Sequence, residues 1–269
     1  MTTRTLLMSV AELKRHLSKG TVVVADARMP TDYIAGHIPG AVLLNGVFDY
    51  IVTKTNHCGL EELHHFLAKL FGNAGIKRNA LVVFYDEEIG MRCARGLWML
   101  QYAGHENVCV LDGGLAAWTE TGGLISTEPA NPTPTEFTVE PRPEFLATAE
   151  DILEKKEQSG FTILDVRSEE EFAGEFRQDC CARSGRIPNA VPFAWDRALK
   201  GSGFKMLDVL RNELESIGVT LDQEITTYCH RGARSANTWL MLKLLGYPKV
   251  RNYIGSWHEW SNRIELPIE

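Results

Sequence analysis

The sequence has no apolar run close to the roughly 20 residues that a membrane-spanning helix needs, and it begins without a recognisable signal peptide. Charged residues interrupt the first apolar stretch within about ten positions, and no small-residue cleavage site follows. Positive charge is also not in excess, because the formal net charge is −7. We therefore expect a cytoplasmic protein with no membrane or nucleic-acid partner, in which any anion site is local.

Paired cysteines are lacking as well. The six cysteines, at 58, 93, 109, 180, 181 and 229, include no Cys-x-x-Cys pattern. Disulfide-rich domains and structural zinc sites normally show paired or regularly spaced cysteines. We expect free thiols, as in reducing compartments, with no metal and no cofactor.

What the sequence does contain is a repeat. An Asp-x-Arg motif after a β-rich run occurs at Asp26 and again at Asp165. Gly-His-Ile-Pro-Gly-Ala at 36–41 then corresponds to Gly-Arg-Ile-Pro-Asn-Ala at 185–190. A longer block follows in each copy, and tyrosine, glycine and tryptophan recur at corresponding positions in the two blocks. Chance does not produce ordered matches of this kind, so the chain contains two copies of one domain.

The stretch between the copies is rich in proline. Residues 126–145, "STEPANPTPTEFTVEPRPEF", contain five prolines and few apolar residues. Proline favours an extended, semi-rigid backbone. The sequence thus predicts a first domain at 1–126, a linker at 127–143 and a second domain at 144–269.

Each copy alternates apolar runs with segments of helical period. In the first copy, near-continuous runs rich in valine indicate buried strands at 21–27, 80–86 and 108–113. Apolar residues at helical spacing indicate helices at 9–17, 60–71 and 95–104. Because this alternation repeats in the second copy, we predict an α/β fold, with a mainly parallel sheet flanked by helices in each domain. Sites in such sheets form at the carboxyl ends of strands.

Cys229 follows one of these runs, in the segment "YCHRGARSANTWLM". Gly232 permits a tight turn, and the helical pattern after it would bring backbone amides and a partial positive charge towards the sulfur. Cations stabilise the thiolate, which is the reactive form. We therefore interpret Cys229 as a nucleophile rather than a small buried hydrophobe. The loop predicted to hold an anion comprises His230, Arg231, Gly232, Ala233 and Arg234.

With these motifs, and with "DGGLAAW" and "GSWHEW", the chain resembles the tandem-domain rhodanese family of sulfurtransferases over essentially its whole length. The resemblance implies that the second domain is catalytic and that Cys229 carries sulfur as a persulfide. Asp86 stands where the first domain would have its cysteine. Because an aspartate cannot carry transferable sulfur, the first domain is expected to be inactive.

The resemblance also implies a small anionic sulfur donor, thiosulfate or 3-mercaptopyruvate. The acceptor would be cyanide or a thiol, with thioredoxin-like proteins among the thiols. Mercaptopyruvate enzymes resemble one another in a neutral loop and in an arginine soon after Asp-x-Arg, where this chain has Glu171. We favour thiosulfate, oriented by Arg231 and Arg234, although Arg183 or Arg186 is an alternative partner for a carboxylate donor.

Two further predictions concern the surroundings of the loop. We count Arg186 and Trp195 among the substrate-binding residues, since Trp195 follows a segment expected to approach the loop. The adjacent Cys180 and Cys181 lie in a stretch longer than its counterpart in the first copy. We interpret this pair as incidental, with an accessory thiol near the site as the alternative.

Two other functions stay open at this point. A phosphatase that shares the domain fold would need Cys-x5-Arg to surround a phosphate, whereas Cys229 and Arg234 form Cys-x4-Arg. The shorter loop favours a smaller sulfur centre. A non-catalytic module that relays sulfur between proteins is the other alternative.

Overall fold

The structure, a computed structural model, describes residues 5–269. Contacts divide them into two compact units. The first unit comprises residues up to 50, 62–142 and 201–203, and the second comprises 51–61, 143–200 and 204–269. Over the described range, no helix is both long enough and apolar enough to cross a membrane.

The elements up to the linker follow the predicted alternation. The strands are β1 (Leu7–Met8), β2 (Val22–Asp26), β3 (Val42–Leu43), β4 (Leu81–Tyr85) and β5 (Val108–Leu111). The helices are α1 (Val10–Ser18), α2 (Pro30–Ala35), α3 (Gly46–Asp49), α4 (His57–Asn73), α5 (Met91–Tyr102) and α6 (Gly114–Glu120). Ser9 and Glu12 form a capping box that starts α1, which satisfies backbone N–H groups at that helix end.

The elements after the linker repeat this order. The strands are β6 (Phe161–Asp165), β7 (Val191–Pro192), β8 (Leu199–Lys200), β9 (Gly203–Phe204), β10 (Glu224–Tyr228) and β11 (Val250–Asn252). The helices are α7 (Ala149–Lys155), α8 (Glu169–Ala173), α9 (Leu207–Ser216), α10 (Arg234–Leu244) and α11 (Ser256–Asn262). Short 3-10 helices cover Pro143–Phe145 and Trp195–Ala198.

Both units are built on a parallel sheet, which confirms the predicted α/β fold. The strand order is β1-β5-β4-β2-β3 in the first sheet and β11-β10-β6-β7 in the second. Every pairing between neighbours in these two sheets is parallel. In the second sheet β10 lies between β6 and β11, so its carboxyl end, where Cys229 follows, is a central position.

A buried polar network joins the carboxyl ends of β6 and β10. Tyr228 lies directly opposite Asp165 in the strand register and donates its hydroxyl to the Asp165 carboxylate. Arg167 binds the same carboxylate with Nε at 2.9 Å and Nη2 at 2.6 Å. All three side chains are at most 3% exposed. Because each charge has partners, the Asp-x-Arg motif can be buried without an unpaired ion.

The same network explains the second repeated motif. The Tyr228 hydroxyl accepts the backbone N–H of Ile187 at 3.2 Å, and Arg167 donates to the carbonyl of Gly185 at 2.9 Å. In the first unit, the Tyr85 hydroxyl likewise accepts the N–H of Ile38 at 3.2 Å. The Gly-x-Ile-Pro segments are therefore turns that the tyrosine and arginine side chains fix to the sheet.

The proline-rich segment has fixed partners in the first unit. The backbone N–H of Thr135 donates to the Gly72 carbonyl at 2.9 Å, and that of Arg142 donates to the Tyr102 carbonyl at 2.8 Å. Residues up to 142 belong to the first unit by contacts. The segment thus packs along this unit rather than running free.

We expect Tyr228→Phe to destabilise the protein by about 1–3 kcal/mol, because the Ile187 N–H and the Asp165 carboxylate each lose a buried partner. Urea unfolding monitored by circular dichroism would measure the shift of the midpoint. Tyr50→Phe is the matched control, since the structure gives the half-buried Tyr50 hydroxyl no hydrogen bond within residues 5–269. Equal stability of the two variants would contradict the role of the network.

Candidate functional site

The sulfur of Cys229 lies at the N-terminus of an 11-residue helix. Cys229 directly follows β10, and Arg234 is the first residue of α10. The backbone N–H of Gly232 donates to the sulfur at 3.1 Å, and the hydroxyl of Ser235 lies 3.5 Å from it. The side chain of Cys229 is 1% exposed. The turn thus directs donors and the positive end of the helix dipole at one buried sulfur.

Gly232 gives this turn its shape. Its φ is +79°, in the left-handed region that side chains disfavour. A Cβ at this position would also lie 2.7 Å from the carbonyl oxygen of Ile254, which is too close. The close approach of the Gly232 N–H to the sulfur therefore depends on glycine at this position.

The thiol of Cys229 has a lowered pKa despite its burial. Burial alone would raise the pKa, but the Arg234 charge and hydrogen bonds from Ser235 and from the backbone of Arg231 outweigh it. The single hydroxyl proton of Ser235 has two possible acceptors, the Cys229 sulfur and Asn252 Oδ1, which lies 2.7 Å from the hydroxyl oxygen. The positive charge of Arg234 is thus the largest single contribution that favours the thiolate.

Arg234 also has a partner of opposite charge. Its guanidinium forms a two-pronged ion pair with Glu171, at 2.5 Å and 2.9 Å. Burial would raise the pKa of Glu171, but the hydrogen bond and charge of Arg234 outweigh this effect and lower it. The carboxylate therefore compensates part of the arginine charge. The loop is less cationic than its sequence indicates.

His230 and Arg231 turn towards a different sulfur. His230 Nε2 lies 3.2 Å from the Sγ of Cys180, and Arg231 Nη2 donates to the same Sγ at 3.1 Å. Burial and the neighbouring arginine charges lower the pKa of His230 to about 4, so its imidazole is neutral at pH 7. The pair Cys180–Cys181, interpreted from sequence as incidental, therefore lies beside the loop. The alternative kept from sequence, an accessory thiol near the site, rested only on the length of this stretch, because the contacts themselves span about 50 positions of the chain.

The remaining predicted site residues divide into two groups. Trp195 lines an open cleft of about 430 Å³ together with Arg234, and Ala233 is buried at the start of α10. Arg186 instead pairs with Glu269 at 3.3 Å and lies over the ring of Phe172. The structure thus brings Trp195 to the loop but gives Arg186 no contact with it within residues 5–269.

The other buried cysteines differ from Cys229 in acidity. Burial raises the pKa of Cys109 to about 12 and that of Cys181 to about 11, and it raises the pKa of Cys93 further. A raised pKa keeps a thiol protonated and unreactive at neutral pH. Cys229 combines burial with a lowered pKa, and this combination is what distinguishes a nucleophile from a core residue.

The first unit contains the same turn with a different residue. The carbonyl of Asp86 accepts the N–H of Leu115 at 3.0 Å, as the carbonyl of Cys229 accepts the N–H of Trp257 at 2.9 Å. The carboxyl of Asp86 has a raised pKa because of its burial. Asp86 and Cys229 therefore occupy corresponding places after corresponding strands.

Comparison with known proteins agrees with the repeat. A model of the rhodanese-like domain matches residues 9–121 and 148–263. A thiosulfate sulfurtransferase of Azotobacter vinelandii is 33% identical over 265 residues, which cover 98% of this chain and 97% of that protein. A sulfur carrier protein of Thermus thermophilus is 36% identical over 248 residues, covering 88% and 86%.

Solved structures show a similar fold. An anaerobic ergothioneine biosynthesis enzyme from Chlorobium limicola, in complex with trimethyl histidine, matches with a TM-score of 0.86 at 25% identity. The match covers 98% of this chain and 70% of that chain. The fold of both repeats therefore recurs within a longer protein.

We expect a single substitution at Glu171 and a double substitution at Glu171 and Arg234 to move the pKa of Cys229 in opposite directions. Glu171→Gln leaves the arginine charge uncompensated and should lower the pKa. Glu171→Gln with Arg234→Gln removes both charges and should raise it by about one unit. The ultraviolet absorbance of the thiolate, taken as the difference from the matching Cys229→Ser protein across pH, measures both shifts.

Arg15→Gln is the control for the loss of an exposed arginine charge, because Arg15 lies on the surface of α1 in the first unit. It should leave the titration unchanged. Identical curves for the wild type and the double variant would show that the helix end and the backbone amides alone set the pKa of Cys229.

Proposed function

This chain belongs to the rhodanese family, and on that basis we propose that it is a sulfurtransferase that moves sulfane sulfur from thiosulfate to cyanide or a thiol through a persulfide on Cys229. The observation that carries the proposal is the thiol of Cys229, with its lowered pKa, receiving the N–H of Gly232 at the start of α10. Relatives named thiosulfate sulfurtransferase cover nearly the whole chain, which supports the same reaction.

The proposed reaction has two half-reactions. The Cys229 thiolate attacks the outer sulfur of thiosulfate, the sulfur–sulfur bond of the donor breaks, and sulfite leaves with the bonding electrons. An acceptor such as cyanide then attacks the outer sulfur of the persulfide, which forms thiocyanate and returns the thiolate. The amides of residues 230–234 would stabilise the negative charge that each sulfur carries in turn, in the manner of an oxyanion hole.

The contacts of the arginines favour thiosulfate over 3-mercaptopyruvate. Arg183, an alternative partner for a carboxylate donor, donates to the carbonyls of Ser261, Trp260, Arg263 and Leu266. Arg186 is paired with Glu269. Neither guanidinium is thus held ready for a substrate carboxylate.

We include in the proposal a first domain without catalytic activity. Asp86 occupies the place that Cys229 has in the second copy and offers no sulfur to transfer. The predicted boundaries, with domains at 1–126 and 144–269 joined by a linker at 127–143, belong to the same proposal. The proline-rich segment would then serve as a fixed connection, consistent with its hydrogen bonds to residues 72 and 102.

A sulfur-relay module is the second candidate. The relative from Thermus thermophilus, 36% identical to this chain, is named a sulfur carrier protein. In that case the persulfide on Cys229 would pass to a partner protein rather than to cyanide. The chemistry of the first half-reaction would be the same, so the two candidates differ in the acceptor only.

Cys229→Ser should reduce thiosulfate:cyanide sulfur transfer to the uncatalysed background, because serine cannot form a persulfide. Asp86→Ala should retain turnover close to wild type, as should Cys58→Ser, which replaces an exposed cysteine. Thiocyanate formation measures all three rates. Substantial turnover by Cys229→Ser would remove this residue from the mechanism, and loss in Asp86→Ala would contradict an inactive first domain.

A comparison of donors tests the substrate. With cyanide as acceptor, kcat/KM for thiosulfate should exceed that for 3-mercaptopyruvate by at least about tenfold, because Arg183 and Arg186 are both engaged by other groups of the protein. A preference for 3-mercaptopyruvate would exclude the donor proposed here. Persulfide formation without turnover towards cyanide, followed by transfer to a protein thiol, would favour the relay function.

A further inference from the structure

Three side chains of the second unit form a cluster of soft ligand atoms beside the candidate loop. The two Sγ atoms of Cys180 and Cys181 and a ring nitrogen of His230 all lie within 4.8 Å of one another. The Cys180 Sγ and His230 Nε2 are 3.2 Å apart. Two sulfurs and an imidazole nitrogen are the ligands preferred by zinc(II) and copper(I), and not by magnesium or calcium.

We propose that Cys180, Cys181 and His230 form a binding site for a thiophilic metal ion, zinc(II) or copper(I). With zinc–sulfur bonds of about 2.3 Å and zinc–nitrogen bonds of about 2.0 Å, tetrahedral ligand atoms lie roughly 3.6–3.8 Å apart. The distance of 3.2 Å between Cys180 Sγ and His230 Nε2 is slightly shorter than these values, and no separation in the cluster exceeds 4.8 Å. Small side-chain rotations would therefore complete the coordination without movement of the backbone.

The backbone that carries the two cysteines is held in place. Asn262 Nδ2 donates to the Cys180 carbonyl at 3.0 Å, and Arg177 donates to the Cys181 carbonyl. Arg183 fixes the following residues to the C-terminal segment through four carbonyl groups. A site held in this way before the ion arrives loses little conformational freedom on binding.

The surroundings also suit a bound ion. Arg231 Nη2 donates to the Cys180 sulfur at 3.1 Å, an outer hydrogen bond of the kind that orients metal ligands. Cys180 and His230 are each only partly buried, so an ion can reach the cluster from solvent. A water molecule would supply the fourth ligand.

Binding would act on the reaction proposed above, and this consequence rests on the proposed function. His230 directly follows Cys229, so a metal that holds its ring would restrict the loop that must accommodate the persulfide. We expect the metal-bound protein to form the persulfide more slowly than the metal-free protein.

The test is metal binding to the full-length, reduced and chelator-stripped protein. Cobalt(II), as a spectroscopic substitute for zinc, should bind one equivalent and give thiolate charge-transfer and tetrahedral d–d bands. Zinc(II) and copper(I), each in competition with a chromophoric chelator, show which ion binds more tightly. Cys180→Ser and Cys181→Ser should each weaken binding by at least about tenfold, whereas the control variants Cys58→Ser and Cys229→Ser should bind as wild type does.

Undiminished binding by the Cys180→Ser, Cys181→Ser double variant, or loss of binding in Cys229→Ser alone, would overturn the site. The effect on function is measured as persulfide formation from thiosulfate, followed by mass spectrometry because cyanide would itself bind the ion. For each variant, the rate of persulfide formation with bound metal is compared with the rate of the same variant without metal. Metal binding without any persulfide would reject the proposed function and leave the site standing, and persulfide formation without metal binding would do the reverse.

Discussion

The buried contact between the ends of two neighbouring strands is the interaction on which the rest of the second unit depends. Tyr228 donates to the Asp165 carboxylate, which Arg167 also binds, and the same hydroxyl holds the turn at Ile187. Cys229 is the next residue along the chain. The position of its sulfur is therefore set by a network in which every buried charge has a partner, and loss of one partner would leave an unpaired charge.

The reactivity of Cys229 is the balance of two opposing effects. Burial disfavours a thiolate, whereas the Arg234 charge, the helix end and the backbone N–H groups favour it. The ion pair between Arg234 and Glu171 moderates this balance. Such an arrangement suits a thiolate that must both attack a donor and later leave, because stronger stabilisation of the thiolate speeds its departure but slows its attack.

The chain contains the same turn twice, and the comparison separates the needs of the fold from those of chemistry. Tyr85 and Tyr228 make equivalent hydrogen bonds to backbone N–H groups, so both copies need this residue. The following position is Asp86 in one copy and Cys229 in the other, which means that the fold itself requires neither. The stretch containing Cys180 and Cys181 is another difference, and it brings two further thiols close to the loop of the second copy.

The sequence by itself determined the tandem repeat, the α/β class, most long strands and helices, and Cys229 as the candidate nucleophile, because periodicity, turn residues and repeated motifs are local properties. Short strands such as β1, with two residues, escaped prediction because sheet pairing defines them. Only the tertiary structure decided which partner each polar side chain has: Arg234 with Glu171, Arg186 with Glu269, and His230 with Cys180. These pairs lie far apart along the chain, and the packing of a side chain against distant segments leaves no local pattern.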